Sequence, residues 1–133
     1  MPDVILPTQR AIEAILRELF ERDGVVYGVR DLTTVWGALL RAEHVVAANA
    51  EASAAHAAAA IGYMLCQSPR PGIATRNLRA ALLVMFVTLR LNGLYLDARE
   101  ADATRTVLGV ADGSISEAAL VAFLEANTRK MPA

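Results

Sequence analysis

The stretch Thr75–Gly93, TRNLRAALLVMFVTLRLNG, constrains the fold more than any other part of the chain. From Ala80 to Leu89 it is apolar except for Thr88, with Arg79 and Arg90 at its two ends. Leu78, Ala81, Leu82, Met85, Phe86 and Leu89 recur at helical spacing and fill one face. Leu83, Val84, Val87 and Leu91 fill much of the rest. A helix that is apolar nearly all round must be covered on every side, so this one is expected at the centre of an all-α bundle. The run is also too short for a membrane span, which needs roughly 20 residues. Asn92-Gly93 supplies its C-terminal stop.

The remaining sequence supplies helices to cover it. Alanine occurs 26 times in 133 residues, and few stretches alternate with period two, so the reading is all-helical and single-domain. A first helix is expected over Thr8–Arg22, with Ile12, Ile15, Leu16, Leu19 and Phe20 inward and Asp23-Gly24 at its end. VVYGVRD is the only strand-like piece. A second helix, capped by Asp31 or Thr33, should turn Val35, Trp36, Leu39 and Leu40 inward, with Trp36 as a core anchor. EASAAHAAAAIGYMLCQ follows; its small side chains, Gly62 among them, permit close helix–helix approach. SPRPG then breaks the chain, because each proline restricts the residue before it. After LYLDARE, a short helix should cover about Glu100–Val110. The last helix should bury Leu120, Val121, Phe123 and Leu124, capped by Ser114 or Ser116; Ser114 with Glu117 has capping-box spacing.

Charge and cysteine content exclude several functions. Fourteen acidic and 13 basic residues leave a net charge of −1, with no electrostatic drive toward nucleic acid. One cysteine, Cys66, excludes an internal disulfide and a cysteine metal site, and its apolar surroundings predict a buried inert thiol. His44 and His56 lie twelve residues apart, with no partner at four-residue spacing, so no metal site is expected. The start, MPDVILPTQR, lacks a signal-peptide core, and a cytoplasmic protein without membrane contact is expected.

The polar turn before the apolar helix is the candidate site. The first N–H groups of a helix lack internal partners, and the helix end carries positive partial charge. Arg76 and Arg79, with Asn77 between them, can hold a phosphate or carboxylate there. Equally, Thr75 or Asn77 can simply cap the helix, and Arg79 can pair with Glu43, Glu51 or Asp97. Chemistry is harder to assemble. No histidine, lysine, aspartate or glutamate occurs between Gln67 and Arg90. A general base must reach its proton, and magnesium asks for hard oxygen ligands. Glu43, Glu51 and His56 are the acid–base groups that other helices would have to bring in.

Beyond these physical readings, TRNLRAALLVMFVTLRLNGLYLDA resembles the central helix of the Fic/Doc family, whose pattern there reads like NKRTALAAALTFLRLNGY. TRTVLGVADGSISEAALVAFLEANT is similar to that family's closing helices, and YGVRDLTTVWGALLRAE to its G-x-R-D-x-x-x-L-x-x-A-L segment. The resemblance runs from about Gly28 to Leu124 and is strongest with the short death-on-curing branch. It implies one Fic/Doc-like helical domain over residues 1–133.

The family signature is H-P-F-x-[D/E]-G-N-x-R, in which the histidine is the general base, the acidic residue helps hold magnesium, and the rest cradles nucleotide phosphates. Ungapped from LRLNG, it falls on PGIATRNLR. Pro71 then replaces the histidine, Thr75 the acidic residue and Arg76 the glycine, while Asn77 and Arg79 match. An offset of three residues sets Ser68-Pro69 on the histidine-proline pair and Arg76 on the arginine, with Gly72 in place of the acid. Both alignments lose the base and the metal ligand. Family members transfer AMP or phosphate to protein hydroxyls; this loop lacks the groups for that reaction. The resemblance therefore implies a degenerate, toxin–antitoxin-like protein with a binding, regulatory or scaffolding role. No cofactor or metal is implied. The expected partners are a second copy or another protein, and a nucleotide or other anion at Arg76, Asn77 and Arg79. Two alternatives stay open: an enzyme of altered chemistry on a phosphorylated or carboxylated small molecule, and retained transfer with rearranged roles.

Overall fold

The computed structural model describes residues 4–22, 24, 28–67 and 74–132, the side chains of 29–31 and 74–77 excepted. Among these residues it is an all-α structure of six helices and one short two-stranded ribbon: α1 Gln9–Arg22, α2 Val29–Ala48, α3 Ala54–Cys66, α4 Ala74–Leu91, β1 Leu94–Leu96, α5 Glu100–Asp112, α6 Glu117–Asn127 and β2 Thr128–Lys130. No helix among the described residues is long and apolar enough to cross a membrane.

Local chemistry sets the helix ends. Thr8 opens α1, its Oγ1 accepting the Ala11 N–H at 3.1 Å. Ser116, rather than Ser114, caps α6: its Oγ accepts the Ala119 N–H at 3.1 Å. Ser114 instead donates to the Gly109 carbonyl, because the chain folds back there and Ile115 N–H reaches the same oxygen at 3.0 Å. Helix α5 runs through Asp112, two residues beyond the expected stop at Val110, and closes on Gly113 at φ +86°. Positive φ strains any residue with a Cβ, so glycine belongs at that end. Helix α2 starts at Val29, ahead of both expected caps; Asp31 and Thr33 lie inside it. The expected strand-like piece is not a strand where it is described: Val29–Asp31 is helical, and Val25–Tyr27 lie outside the described residues. Asp23 and the SPRPG break also lie outside them.

The central helix is α3 rather than α4. It packs against α2, α4, α5 and α6, and ten of its thirteen residues are buried. Side-chain size explains the reversal. A run of alanines brings neighbouring backbones close on every side, whereas the large side chains of α4 hold neighbours off. Helix α4 buries Ala80, Ala81, Val84, Met85, Thr88 and Leu89 but leaves Leu83 and Leu91 exposed. The tightest approach falls at Gly62, where an added Cβ would stand 2.7 Å from Met85 Cγ and closer still to Sδ. Thr88, the one polar residue of the apolar run, is fully buried and donates to the Val84 carbonyl at 2.7 Å, so its hydroxyl costs little.

Helices α1 and α6 complete the cover. Ile12, Leu16, Leu19 and Phe20 of α1 and Leu120 and Leu124 of α6 join one connected core, with Ile15, Val121 and Phe123 packed partly buried against it. Each such apolar side chain contributes about 1.5–3 kcal/mol by leaving water. Trp36 and Leu40 depart from expectation. Helix α2 turns Val35, Ala38, Leu39 and Ala42 inward, which leaves Trp36 57% and Leu40 47% exposed. With one stripe of alanine and valine already seated on α3, the bulkier Trp36 stripe faces out.

Two features tie the ends together. Strands β1 and β2 pair antiparallel, Leu94 opposite Lys130 and Leu96 opposite Thr128. Gly93 makes the turn into β1 at φ +75°, and its carbonyl accepts the Met131 N–H at 2.9 Å. The ribbon was not foreshadowed by alternation, because three residues a side are too few to show a period of two. Asn92 holds the N-terminal segment: its Oδ1 accepts the Ile5 N–H at 2.8 Å, and its Nδ2 donates to the Ile5 carbonyl at 2.9 Å and the Thr88 carbonyl at 2.7 Å.

Candidate functional site

Helix α4 opens at Ala74, one residue before Thr75 and three before Asn77. Neither residue is therefore the N-cap; both belong to the first turn, where backbone N–H groups have no partner within the helix. The side chains of Thr75, Arg76 and Asn77, and the whole of Pro71, lie outside the described residues. Arg79 is described and exposed. Its three expected carboxylate partners do not engage it. Asp97 faces Arg129 at 3.9 Å, and Glu43 and Glu51 are exposed, with no ion pair to Arg79 among the described residues. Directly after Arg79 the helix enters the core through Ala80 and Ala81. Arg79 thus stands at the border between the polar turn and the packed helix.

The acid–base groups of the neighbouring helices are engaged in a helix cap or exposed on the surface. His56 is the third residue of α3, and its Nδ1 accepts the Ser53 N–H at 3.1 Å and lies 3.0 Å from Ser53 Oγ. This is a capping box with histidine in the place usually held by glutamate or glutamine. His56 also sits eleven residues, or about 16 Å of helix, before Gln67, at the end of α3. Glu43 and His44 lie on the exposed surface of α2. No group of three or more histidine, cysteine, aspartate or glutamate side chains suited to a metal ion occurs among the described residues.

Cys66 is buried at the end of α3, and burial pushes its thiol up to about 12 from the ordinary thiol range near 9. A neutral thiol at that depth is neither a nucleophile nor a ligand at physiological pH. Next to it, Gln67 donates to the Val110 carbonyl at 2.8 Å and fixes the end of α3 on α5.

Other polar contacts carry architecture rather than chemistry, and spacing alone does not reveal them. Arg41 reaches Glu117 across 76 residues, Nη2 to Oε2 at 2.7 Å and Nε to Oε1 at 3.4 Å, and so joins α2 to the first turn of α6. The bond and charge of Glu117 hold the guanidinium above its ordinary value. The Ser114 hydroxyl, and after it the Ser114 N–H that Asp112 accepts at 2.8 Å, hold the exposed Asp112 carboxyl below the ordinary range.

No protein-family model matches this chain, and no match appears among curated proteins.

Proposed function

We propose that the protein is a catalytically degenerate Fic/Doc-like protein, with a binding, regulatory or scaffolding role, whose α4 first turn contacts an anion such as a nucleotide. One observation carries the loss of chemistry: from residue 68 to residue 89 the sequence offers no side chain that moves a proton or holds magnesium. Pro71 and Thr75 stand where the resemblance asks for the base and the acidic ligand. The groups that grasp charge remain. Four first-turn N–H groups, residues 74–77, open the helix, and Arg79 sits one turn on without an ion pair among the described residues. His56 Nδ1 is engaged in the α3 cap. No specific observation favours an altered-chemistry enzyme.

Two measurements test this. Incubation with labelled ATP and cell extract, beside a competent family member, should transfer no label. Titration with ATP should show binding that Arg79→Ala weakens about tenfold, the scale of one lost charged hydrogen bond. Label transfer abolished by changes in 71–79 overturns the degenerate reading. Nucleotide affinity indifferent to Arg79→Ala overturns the anion contact and leaves the scaffold role standing.

A further inference from the structure

Two helices leave an apolar stripe uncovered, and the two stripes match. On α2, Leu32, Trp36 and Leu40 recur every four residues and are 37%, 57% and 47% exposed. On α4, Leu83, Val87 and Leu91 recur at the same interval; Leu83 and Leu91 are 41% and 44% exposed and Val87 is half-buried. Each stripe spans nine residues, or about 12 Å of helix between its ends. Beside the second stripe, Phe86, Val87, Arg90 and Leu91 line a shallow open depression.

Isolated exposed leucines need no explanation, but contiguous apolar stripes mark interaction surfaces. Neither stripe is covered by the other within one chain, since α2 and α4 each pack chiefly along α3. The charges decide the occupant. The outer face of α4 carries Arg79 and Arg90, both exposed, and no carboxylate occurs in α4 at all. Pairing two α4 faces would bring only positive charge and no carboxylate to the seam, which is unfavourable. The α2 stripe instead ends on Glu43, exposed one turn beyond Leu40.

We infer that the α2 stripe of one copy of this chain docks on the α4 stripe of a second copy. Run antiparallel, Leu40 meets Leu83, Trp36 meets Val87 and Leu32 meets Leu91, with Glu43 brought to Arg79. A parallel run loses that ion pair. Trp36 lies over the depression, its ring against Phe86 and the Arg90 guanidinium, a contact of the aromatic and cation–π kind. The association is heterologous: a different face is used on each copy, so the contact either closes a ring or continues in a chain. It is also weak. A stable interface takes about 20–30 residues a side, and each of these faces offers about a third of that. Arg79 is also the residue proposed to contact an anion, so association is measured without nucleotide, where Glu43 has no competitor for it.

Trp36 is the only tryptophan, so its emission reports on the contact directly. Sedimentation equilibrium from micromolar to near-millimolar protein should show the mean mass rising, with Trp36 emission shifting to the blue over the same range. Leu83→Glu should abolish both changes while leaving the circular dichroism of the dilute protein unaltered. Glu43→Arg and Arg79→Glu should each weaken association about threefold to tenfold, and the double swap should restore it. A chain that stays monomeric at every concentration overturns the inference. So does association insensitive to Leu83→Glu, a double swap no better than its parents, or a blue shift produced only by anionic vesicles.

Discussion

Substituting alanine for Gly62 tests the close approach of α3 and α4 that organises the core. The added methyl would stand 2.7 Å from Met85 Cγ, where carbon atoms in contact normally keep about 3.5–4.0 Å. Met85 is flexible but 1% exposed, so its thioether cannot swing into solvent. Overpacking a filled core costs about 1–3 kcal/mol. Against this, alanine gains about 1 kcal/mol over glycine inside a helix. The net expectation is a loss of up to about 2 kcal/mol, or a fall in Tm of up to roughly 10 °C for a chain of this size. Met85→Ala alone should cost about 2–5 kcal/mol by leaving a cavity. In the double variant the methyl introduced by Gly62→Ala fills part of that cavity, so the combined loss should fall short of the sum of the two single losses by about 1–3 kcal/mol. Urea denaturation followed by circular dichroism measures all four corners of the cycle. A Gly62→Ala protein as stable as its parent, with a cycle additive to within about 0.5 kcal/mol, refutes the reasoning. The pair would then have room that a close-packed core does not leave.

Three further outcomes follow from particular contacts. Asn92→Ala removes three hydrogen bonds and should cost about 1–2 kcal/mol, while Asn92→Asp keeps only the acceptor for Ile5; amide exchange at Ile5 should quicken more in the alanine variant. Cys66, with its thiol held up to about 12 by burial, should resist iodoacetamide at pH 8 until the chain unfolds. Because the folded value lies above the unfolded one, its contribution to stability is complete below about pH 9 and is lost as pH rises toward 12, which denaturant midpoints across that window will register. A cycle of Arg41→Ala with Glu117→Gln should give a coupling of about 0.5–1 kcal/mol that shrinks in high salt, since both partners are partly exposed.

Helix existence and type were legible in the sequence because long apolar periods survive without knowledge of the neighbours. The buried positions of α1 and the exclusion of a disulfide came directly from spacing and count. Which helix lies at the centre was not legible. The large apolar side chains of Ala80–Leu89 pointed to α4, but centrality follows from how closely backbones approach, and alanine allows the closest approach. The same limit hid the outward turn of Trp36. A tryptophan among leucines looks like an anchor by size, yet Val35, Ala38 and Ala42 one face over fit the narrow space beside α3, and the larger ring does not. His56 shows the converse for the candidate site. Its spacing to other ligands argued against a metal, and its spacing of three from Ser53 held the capping role in plain view, though glutamate or glutamine is the usual signal.

What separates the architectural from the functional polar groups is whether the fold already uses them. Asn92, Gln67, Thr88, Arg41 and Glu117 each have a partner within the chain that accounts for their chemistry. No buried side-chain nitrogen or oxygen lacks one among the described residues. A protein with its interior satisfied in this way has only its surface left for function. Two surface features stand out among the described residues. Arg79 follows a helix end whose first N–H groups have no partner within the helix, and large apolar side chains lie in register on α2 and α4. The first can attract charge and the second can bury area, and neither can move a proton. If the chain does turn out to transfer a group, the reacting residues must come from outside this inventory.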